Sequence, residues 1–395
     1  MKALRRCAYL HIESVERQIL DPVRLLAGDD GLAKVMQWQA LAAHLGSPIV
    51  LDEIEVAALG TISPSEWVDA SELEGRVGTA CMASLRNKQL LVECDSGESH
   101  SPEARQPAQE GVEPRWHAGS ATAHAFSRWS GKGQTPATAA TTADAVALMV
   151  ERCGPPPPHF RHRKDAVARV PLGESARTTL DDLLERRATC RNFDLAQSVS
   201  AAQLSALLRR VFGVHGMEEL APGAVALKKN HPSGGGLHPT EAYLVVQRVE
   251  ALAPGLYHYN VEAHALDLLR AMPADEARAF AMTAVAGQEY FADAPVMVVM
   301  AARFARSMWK YRNHPKIYRA ILLEMGHISQ NLYLTATEMN LGAFITAAIN
   351  EVEIEQAFGL EPMAEGPLCV CGFGARAKER VTVEFDPAHK VWSGG

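Results

Sequence analysis

The sequence has no CxxC pair among its cysteines. These residues are odd in number and scattered along the chain, at Cys7, Cys81, Cys94, Cys153, Cys190, Cys369 and Cys371. Such a distribution argues against a disulfide framework and against a zinc site. We therefore predict no metal site, and a reducing compartment fits the free thiols best.

Long apolar runs are also missing. The longest, at residues 294–302, is too short to cross a bilayer, because a spanning helix needs about 20 apolar residues. Basic residues near the start precede an apolar stretch, but His11, Glu13 and Glu16 interrupt it, unlike the core of a signal peptide. We predict a soluble, cytoplasmic protein with no membrane partner.

Positive charge is not in excess, since the formal net charge is −7 and the sequence pI is about 6.1. The chain has no global basic field of the kind that phosphate backbones attract, so nucleic acid is not an expected partner. Hydrophobic residues make up 47% of the 395 residues. That composition can form real cores, and the length exceeds what one core usually fills, which predicts two domains.

Segments poor in apolar residues divide the chain. Residues 95–114 contain Val112 as their only branched aliphatic residue, and such a composition cannot offset its ordering entropy by burial. A second weak stretch covers 131–142, and the prolines at 155–158 predict a stiff polyproline segment. We predict an N-terminal domain over residues 1–94, a linker and connecting region over 95–169, and a C-terminal domain over 170–395.

The N-terminal part carries signals of short helices. Ser63 with Glu66, and Ser71 with Glu74, have the spacing of a capping box and predict two helix starts. Amphipathic stretches at 35–45 and 54–59 precede them, and a strand-like segment at 89–93 follows. This order of helices and then a β-ribbon resembles a winged helix.

Three roles stay open for this winged-helix-like domain. In peptide-modifying enzymes such a module often binds a leader peptide, in regulators it reads DNA, and it can also be purely structural. DNA is the least favoured role, because Arg76 is the only cation in the candidate recognition segment 71–85. We predict a peptide-binding domain.

The C-terminal part mixes helices and strands. A capping box of Ser200 and Gln203 opens a helix that ends at Gly213. Residues 241–249, 255–259 and 294–300 are typical of strands, the last one buried on both faces. An apolar stripe at helical spacing runs from Ile317 to Gly342, which predicts a long helix in the middle of a domain or at a subunit interface. The fold class we predict is α+β.

A basic segment follows residue 186. Arg187, Thr189 and Arg191 alternate, so in an extended chain two guanidinium groups and a hydroxyl project to the same side. Arginine forms bidentate, charge-assisted bonds, and this arrangement suits a phosphate dianion. Taken alone, the segment is more often a solvated basic strand.

A glycine-rich loop contains Ser233, Gly234, Gly235 and Gly236. Consecutive glycines let backbone amides approach a planar ligand, and the serine adds a donor. The spacing matches neither the dinucleotide fingerprint nor a P-loop. By itself, the loop could also be an ordinary turn.

Lys310 and Tyr311 are adjacent and could exchange protons. A lysine is protonated at neutral pH, so to act as a base it must be desolvated or held beside another cation. Arg306 and Arg312 are near enough in sequence to supply that cation. On a surface both residues would be ordinary polar groups. His327 lies near the apolar stripe, and a satisfied core histidine is its simplest interpretation.

Together and in this order, these segments resemble the nitroreductase-like flavoenzymes, and more narrowly the azoline dehydrogenases of thiazole/oxazole-modified peptide biosynthesis. The resemblance covers about residues 170–382. Its motifs are an RxSxRxF start at Arg187, a PSGGxxHPxE loop at Pro232, a GLYxY strand at Gly255, and a block that runs from Lys310 to Asn331. Thr189 departs from the usual serine.

The resemblance implies roles for individual residues. The residues that would bind the cofactor FMN are Arg187, Thr189 and Arg191 at its phosphate, Ser233, Gly234, Gly235 and Gly236 at its ring, the backbone of Thr346, Ala347 and Ala348 against the flavin, and Arg376, with Arg380 as the alternative, at the C-terminal end of the phosphate site. Lys310 and Tyr311 would be the catalytic pair. No role for a metal is implied.

The resemblance also implies an activity and partners. The enzyme would be an FMN-dependent oxidoreductase that oxidises azoline rings to azoles in a ribosomally synthesised, post-translationally modified peptide. It would work as a homodimer on a precursor peptide, with a cyclodehydratase as a candidate partner. Two alternatives remain: a generic NAD(P)H-dependent nitro or quinone reductase, and a non-catalytic scaffold of a peptide-modifying complex.

Overall fold

The structure is a computed structural model that describes residues 2–95, 115–133 and 142–392. Its helices are α1 (Pro22–Leu26), α2 (Glu53–Thr61), α3 (Ala70–Val77), α4 (Thr79–Asn87), α5 (Ala118–Ser127), α6 (Thr142–Cys153), α7 (Thr179–Arg186), α8 (Ala201–Phe212), α9 (Ala274–Ala284), α10 (Glu289–Ala292), α11 (Phe304–Lys310), α12 (Ile317–Glu338) and α13 (Glu351–Phe358). Its strands are β1 (Lys2–Arg6), β2 (Leu10–Leu20), β3 (Leu32–Ala42), β4 (Ile49–Leu51), β5 (Val68–Asp69), β6 (Leu91–Asp95), β7 (Val214–Ala221), β8 (Ala224–Lys229), β9 (Thr240–Val246), β10 (Gly255–Asn260), β11 (Ala265–Ala271), β12 (Val296–Arg303), β13 (Gly342–Thr346) and β14 (Glu365–Gly374).

The N-terminal part contains two small antiparallel sheets. In one, β1 lies between β5 and β6, and helices α2, α3 and α4 pack with it through Leu4, Leu59, Leu73 and Leu85. In the other, β2 and β3 form a long hairpin to which β4 is added. The helix expected at 54–59 and the strand expected at 89–93 are confirmed as α2 and β6.

Two expectations for this part were wrong, and a third was right about the helix but not about its cap. The amphipathic stretch at 35–45 lies largely in strand β3, where exposure alternates with a period of two rather than following a helix. Ser63 starts no helix: its hydroxyl accepts the N–H groups of Ser65 and Glu66 as a helix cap would, but the chain continues into β5. A helix does start at the second predicted site, as α3, but its cap is Asp69, whose carboxylate accepts the N–H of Ser71. The winged-helix assignment remains a prediction.

The connecting region is not loose throughout. Trp116 is buried, and its indole N–H donates to the Met363 carbonyl at 2.9 Å. Its ring contacts Phe304 and Tyr318, so residues 115–133 are part of the C-terminal core and do not form a linker there. The predicted linker at 95–114 and most of the weak stretch at 131–142 lie outside the described residues, while the prolines at 155–158 are exposed.

The C-terminal part is built on a six-stranded antiparallel sheet of order β11-β10-β9-β12-β14-β13. Side chains alternate across it: in β9, Leu244 and Val246 join one core, which includes residues of α8 and α12. Tyr243 and Val245 join the other, with residues of α9, α10 and α13. The sheet is therefore covered on both faces, which explains why β12 is apolar at nearly every position.

Most elements predicted for this part are confirmed. Helix α8 begins after the capping box of Ser200 and Gln203 and ends at Gly213, and α12 is long and buries one face. The predicted α+β class is confirmed. The hairpin of β7 and β8 was not anticipated. No helix of the described residues is both long enough and apolar enough to cross a membrane.

Candidate functional site

The basic segment after α7 is extended, as its alternation predicted. Thr189 pairs with Ala343 of β13 in a parallel bridge, and the Cys190 N–H donates to the Ala343 carbonyl at 2.8 Å. Ala188, Cys190 and Asn192 are buried, whereas Arg187, Thr189 and Arg191 are half-buried. The pairing with β13 thus presents the three candidate phosphate ligands on one side.

Aromatic rings support these side chains. The Arg187 guanidinium lies 5.3 Å from the ring centre of Tyr333, and the Tyr333 hydroxyl is 3.0 Å from Thr189 Oγ1. Arg191 lies 5.8 Å from the ring centre of Tyr290. Neither arginine forms an ion pair with a residue that the structure describes, so both charges are available to an anion.

Arg376 lies beside the same segment, but its guanidinium already has partners. It contacts the Glu384 carboxylate at 2.5 Å and donates to the Ala188 carbonyl at 2.8 Å. Burial would raise the pKa of Glu384, but the N–H of Arg191 and the charge of Arg376 outweigh it and lower that pKa. The ion pair leaves Arg376 less free to bind a phosphate, whereas Arg380 is exposed.

The glycine-rich loop makes a single 3₁₀ turn over Gly234–Gly236. Gly235 has a φ of +70°, and a Cβ there would lie 2.6 Å from Tyr311 Oη and 3.2 Å from Lys310 Nζ. Only glycine fits so close an approach in this conformation. The loop backbone and the Lys310–Tyr311 pair, predicted separately, are therefore in contact.

Ser233 is used within the protein. Its hydroxyl accepts the N–H of His238 at 2.8 Å and also bonds to Glu324, which lowers the pKa of that carboxyl against the larger, opposite effect of burial. Since the hydroxyl already has these partners, it is less available to a ligand than the sequence suggested.

Lys310 ends α11 and is exposed, while Tyr311 is half-buried. The Lys310 ammonium lies 5.5 Å from the Tyr311 ring centre. Of the two arginines proposed to assist, Arg306 lines the same cavity as Lys310 and donates to the Leu237 carbonyl at 2.6 Å. Arg312 donates instead to the Trp309 carbonyl at 3.4 Å.

A cavity of about 470 Å³ lies at this point. Gly235, Gly236, Trp309 and Lys310 line one part of it, and residues 223–226 of the β7–β8 hairpin line another. Its size falls within the range typical of small-molecule sites. The unanticipated hairpin therefore forms part of the wall of the candidate site.

The segment of Thr346, Ala347 and Ala348 follows β13. Buried Gln288 fixes it by donating to the Ala348 carbonyl at 2.8 Å and to Thr346 Oγ1 at 3.2 Å. Ala347 is exposed between them. Sequence reasoning missed Gln288, and also Tyr333 and Glu384, because each acts through a partner far away in the chain.

Helix α12 connects these parts. Ala320 contacts Gly234, Glu324 accepts from Thr240 Oγ1 at 2.9 Å, and Tyr333 contacts Thr189. From Glu324 to Tyr333 the helix rises about 14 Å at 1.5 Å per residue. His327, by contrast, is exposed and is not the core histidine expected from its position near the apolar stripe.

Residues 184–375 match the Nitroreductase family. A Methanocaldococcus jannaschii protein named as a nitroreductase is 27% identical over 207 residues, which are 52% of this chain and 96% of that protein. The trifolitoxin-processing protein TfxB of Rhizobium leguminosarum bv. trifolii is 32% identical over 36% of this chain and 38% of its own length. The microcin B17-processing protein McbC of Escherichia coli is 27% identical over 39% of this chain and 56% of its own length.

The C-terminal part is thus a nitroreductase-like domain. The predicted resemblance to nitroreductase-like enzymes of peptide maturation is confirmed by the family match and by two relatives named for processing trifolitoxin and microcin B17. The matched regions span less than two thirds of the length of those two relatives.

Proposed function

We propose that this protein is an FMN-dependent dehydrogenase that oxidises azoline rings to azoles in a ribosomally synthesised, post-translationally modified peptide. The observation that carries the proposal is the contact of Lys310 and Tyr311 with the backbone at Gly235. A proton-exchanging pair and a loop suited to a flat ring meet beside one cavity. The peptide-processing relatives support a peptide as the substrate.

The residues present fit FMN. Arg187 and Arg191 are half-buried cations without ion-pair partners among the described residues, and Thr189 adds a hydroxyl between them. Ser233 of the glycine loop bonds to Glu324, which lies about 14 Å along α12 from Tyr333, the contact of Thr189. That separation suits a ligand with an anionic end and a planar end. When bound, FMN supplies the capacity to accept a hydride.

Lys310 and Tyr311 would accept the proton that the azoline ring loses. Oxidation of an azoline removes two hydrogens, one as a hydride and one as a proton, and the ring becomes aromatic. We assign removal of the proton to the Lys310 amine, with the Tyr311 hydroxyl sharing it. Because Lys310 is exposed in the single chain, the bound peptide or a second subunit would have to exclude water from it.

The assembly belongs to the same proposal. A homodimer would complete each site, the N-terminal part would bind the precursor peptide, and a cyclodehydratase would supply its azolines. The match to the nitroreductase-named protein over 96% of its length favours a second candidate, a nitro or quinone reductase that uses NAD(P)H.

One experiment separates the candidates. The purified protein should be yellow and release FMN on denaturation, and it should convert a peptide with one thiazoline ring to the thiazole, detected by mass spectrometry as loss of two hydrogen atoms. Rapid turnover of NADPH with a nitroaromatic compound, without any thiazole product, would favour the reductase. A protein that neither contains nor takes up FMN would favour the scaffold.

A further inference from the structure

Behind the glycine loop lies a cluster of three buried side chains that the proposed chemistry does not use. His231 precedes the loop, His238 follows it, and Glu324 lies on α12. All three residues are less than 9% exposed. One ligand atom from each lies within 4.8 Å of the others, although 86 positions of the sequence separate His238 from Glu324.

The spacing of the two histidine nitrogens fits a tetrahedral metal ion, and the Glu324 carboxylate would have to move closer to bind the same ion. His231 Nε2 lies 3.3 Å from His238 Nδ1 and 3.8 Å from Glu324 Oε1. Zinc binds imidazole nitrogen at about 2.0–2.1 Å, so two nitrogens on a tetrahedral zinc ion are about 3.3–3.4 Å apart. In an octahedral site the same bonds would put them about 2.9 Å apart, and the histidine pair therefore fits the tetrahedral site better.

The protonation of the cluster also suits a cation. Burial lowers the pKa of His231 to about 3 and that of His238 to about 4, helped by the nearby charge of Lys229. Both rings are then neutral at neutral pH, the form that binds metals. Burial likewise raises the pKa of Glu324, so a metal ion would supply the positive charge that this carboxylate lacks.

The surroundings orient the ligands and give access. The Thr240 hydroxyl donates to Glu324 Oε1 at 2.9 Å, an outer-shell bond of the kind that fixes metal-binding carboxylates. His238 also lines a cavity of about 810 Å³ that contains Lys229 and Glu241, which can admit an ion and a water as fourth ligand. Lys229 interacts more strongly with Glu241 than with Glu324, so it keeps its main counter-charge when a metal binds Glu324.

We propose that His231, His238 and Glu324 form a site for one divalent zinc ion. The ion ties both ends of the glycine loop to α12 and so holds Gly235 against Lys310 and Tyr311. Its role is to position the loop, because none of the three ligands contacts the Lys310–Tyr311 pair. The absence of a CxxC pair does not bear on this site, since it uses no cysteine.

The test measures metal in the full-length protein. After incubation with zinc and dialysis, we expect about one zinc per chain in the wild type and at least a 10-fold loss of affinity in Glu324→Gln and His238→Asn. Asparagine tolerates the φ of +46° at position 238, so the backbone is preserved. His389→Asn is the matched control, because His389 is exposed, lies outside the cluster and its cavity, and has a similar φ of +51°; it should bind zinc like the wild type.

Two further readouts guard against misfolding and keep the result independent of the proposed function. In the wild type alone, saturating zinc should raise Tm by about 5 °C over the chelated protein, and FMN content is measured on every sample. Wild type that binds no zinc, or variants that bind as much as the wild type, would overturn the site whatever the FMN content. Iron retained in place of zinc would overturn the tetrahedral assignment.

Discussion

Gly235 is the residue at which the loop and the Lys310–Tyr311 pair meet. Its positive φ and the 2.6 Å from a Cβ to Tyr311 Oη mean that even alanine would have to displace the tyrosine. The Lys310 amine and the Tyr311 hydroxyl therefore lie directly against the loop backbone, because position 235 has no side chain. In the proposed mechanism, a proton taken from the substrate at this point would have both groups within reach.

Substitution of Lys310 and Tyr311 separates azoline oxidation from simple flavin reduction. A positioned base contributes about 10²- to 10⁴-fold to proton removal, whereas reduction of the flavin by a chemical donor needs no such base. We expect Lys310→Ala and Tyr311→Phe to lower thiazoline oxidation by that factor, with FMN content and the rate of dithionite reduction unchanged.

Lys316→Ala is the control for charge, because Lys316 is an exposed lysine just before α12. It should keep full activity. If instead Lys310 and Tyr311 only pack near α12, their variants should lose melting temperature and FMN together. Full turnover by Lys310→Ala on a thiazoline peptide would remove the proposed mechanism even if fold and cofactor proved correct.

Local patterns could be predicted from the sequence at this scale, and remote partners could not. The alternation of Arg187, Thr189 and Arg191 was visible because it is a property of five consecutive residues in an extended chain. The approach of His231 to Glu324 was not, because only the packing of the loop against α12 brings them together. Glu384 was missed for the same reason, because it accepts the backbone N–H of Arg191, 193 residues earlier.

Among the elements, the hairpin of β2 and β3 has an unusual exposed surface. On the face that contains position 38, the large apolar residues Leu20, Leu32, Met36 and Trp38 are all more than a third exposed. Tyr9 and Ala43, at the base of the hairpin, belong to the same core as Trp116. Deletion of residues 1–94 would remove Tyr9 and Ala43 from that core and could destabilise the C-terminal part. Point variants on the exposed face of the hairpin therefore test peptide binding more cleanly.

We expect Trp38→Ala and Met36→Ala each to raise the Kd for a labelled precursor peptide about 5- to 30-fold, the cost typical of an interface anchor. FMN content and Tm should stay the same, because both side chains are solvent-exposed. Trp129→Ala is the matched control, with a similar exposure of 41% far along the chain. Unchanged peptide affinity in both hairpin variants would leave the N-terminal part with a structural role.

The same hairpin shows why some elements were assigned wrongly. Residues 35–45 contain enough apolar side chains to fit a helical stripe, but Lys34, Met36 and Trp38 are exposed at every second position, the period of a strand. Short apolar segments satisfy both periods, and pairing with β2 decided between them. In α8 and α12 the length of the stripe left no such ambiguity.

At the scale of the whole molecule, α12 carries an apolar surface that the described residues leave exposed. Leu322 and Leu323 are 44% and 60% exposed on this otherwise well-packed helix, which fits the predicted homodimer interface. A charged side chain at this surface would lose its hydration on dimerisation, which costs free energy. We expect Leu323→Glu to shift the protein from dimer to monomer in sedimentation velocity, with a parallel loss of FMN if both subunits line each site.

Leu195→Glu provides the comparison, since Leu195 is 57% exposed on a loop before α8. It should sediment as the wild type does. A wild type that is monomeric at micromolar concentration while fully loaded with FMN would contradict the dimeric site. The bound peptide alone would then have to exclude water from Lys310.

The bond between Trp116 and the Met363 carbonyl has a consequence for synthesis on the ribosome. Its two partners are 247 residues apart, and at about 5–20 residues per second the tryptophan leaves the ribosome about 12–50 s before its acceptor is made. During that interval the helix after Trp116 can pack only on the β2–β3 hairpin, which is already made. Its His124 side, which later contacts Phe304 and Tyr318, is open to chaperones. The N-terminal part of the chain can fold first, but the contacts of Trp116 with the C-terminal part form only after residue 363 has been made.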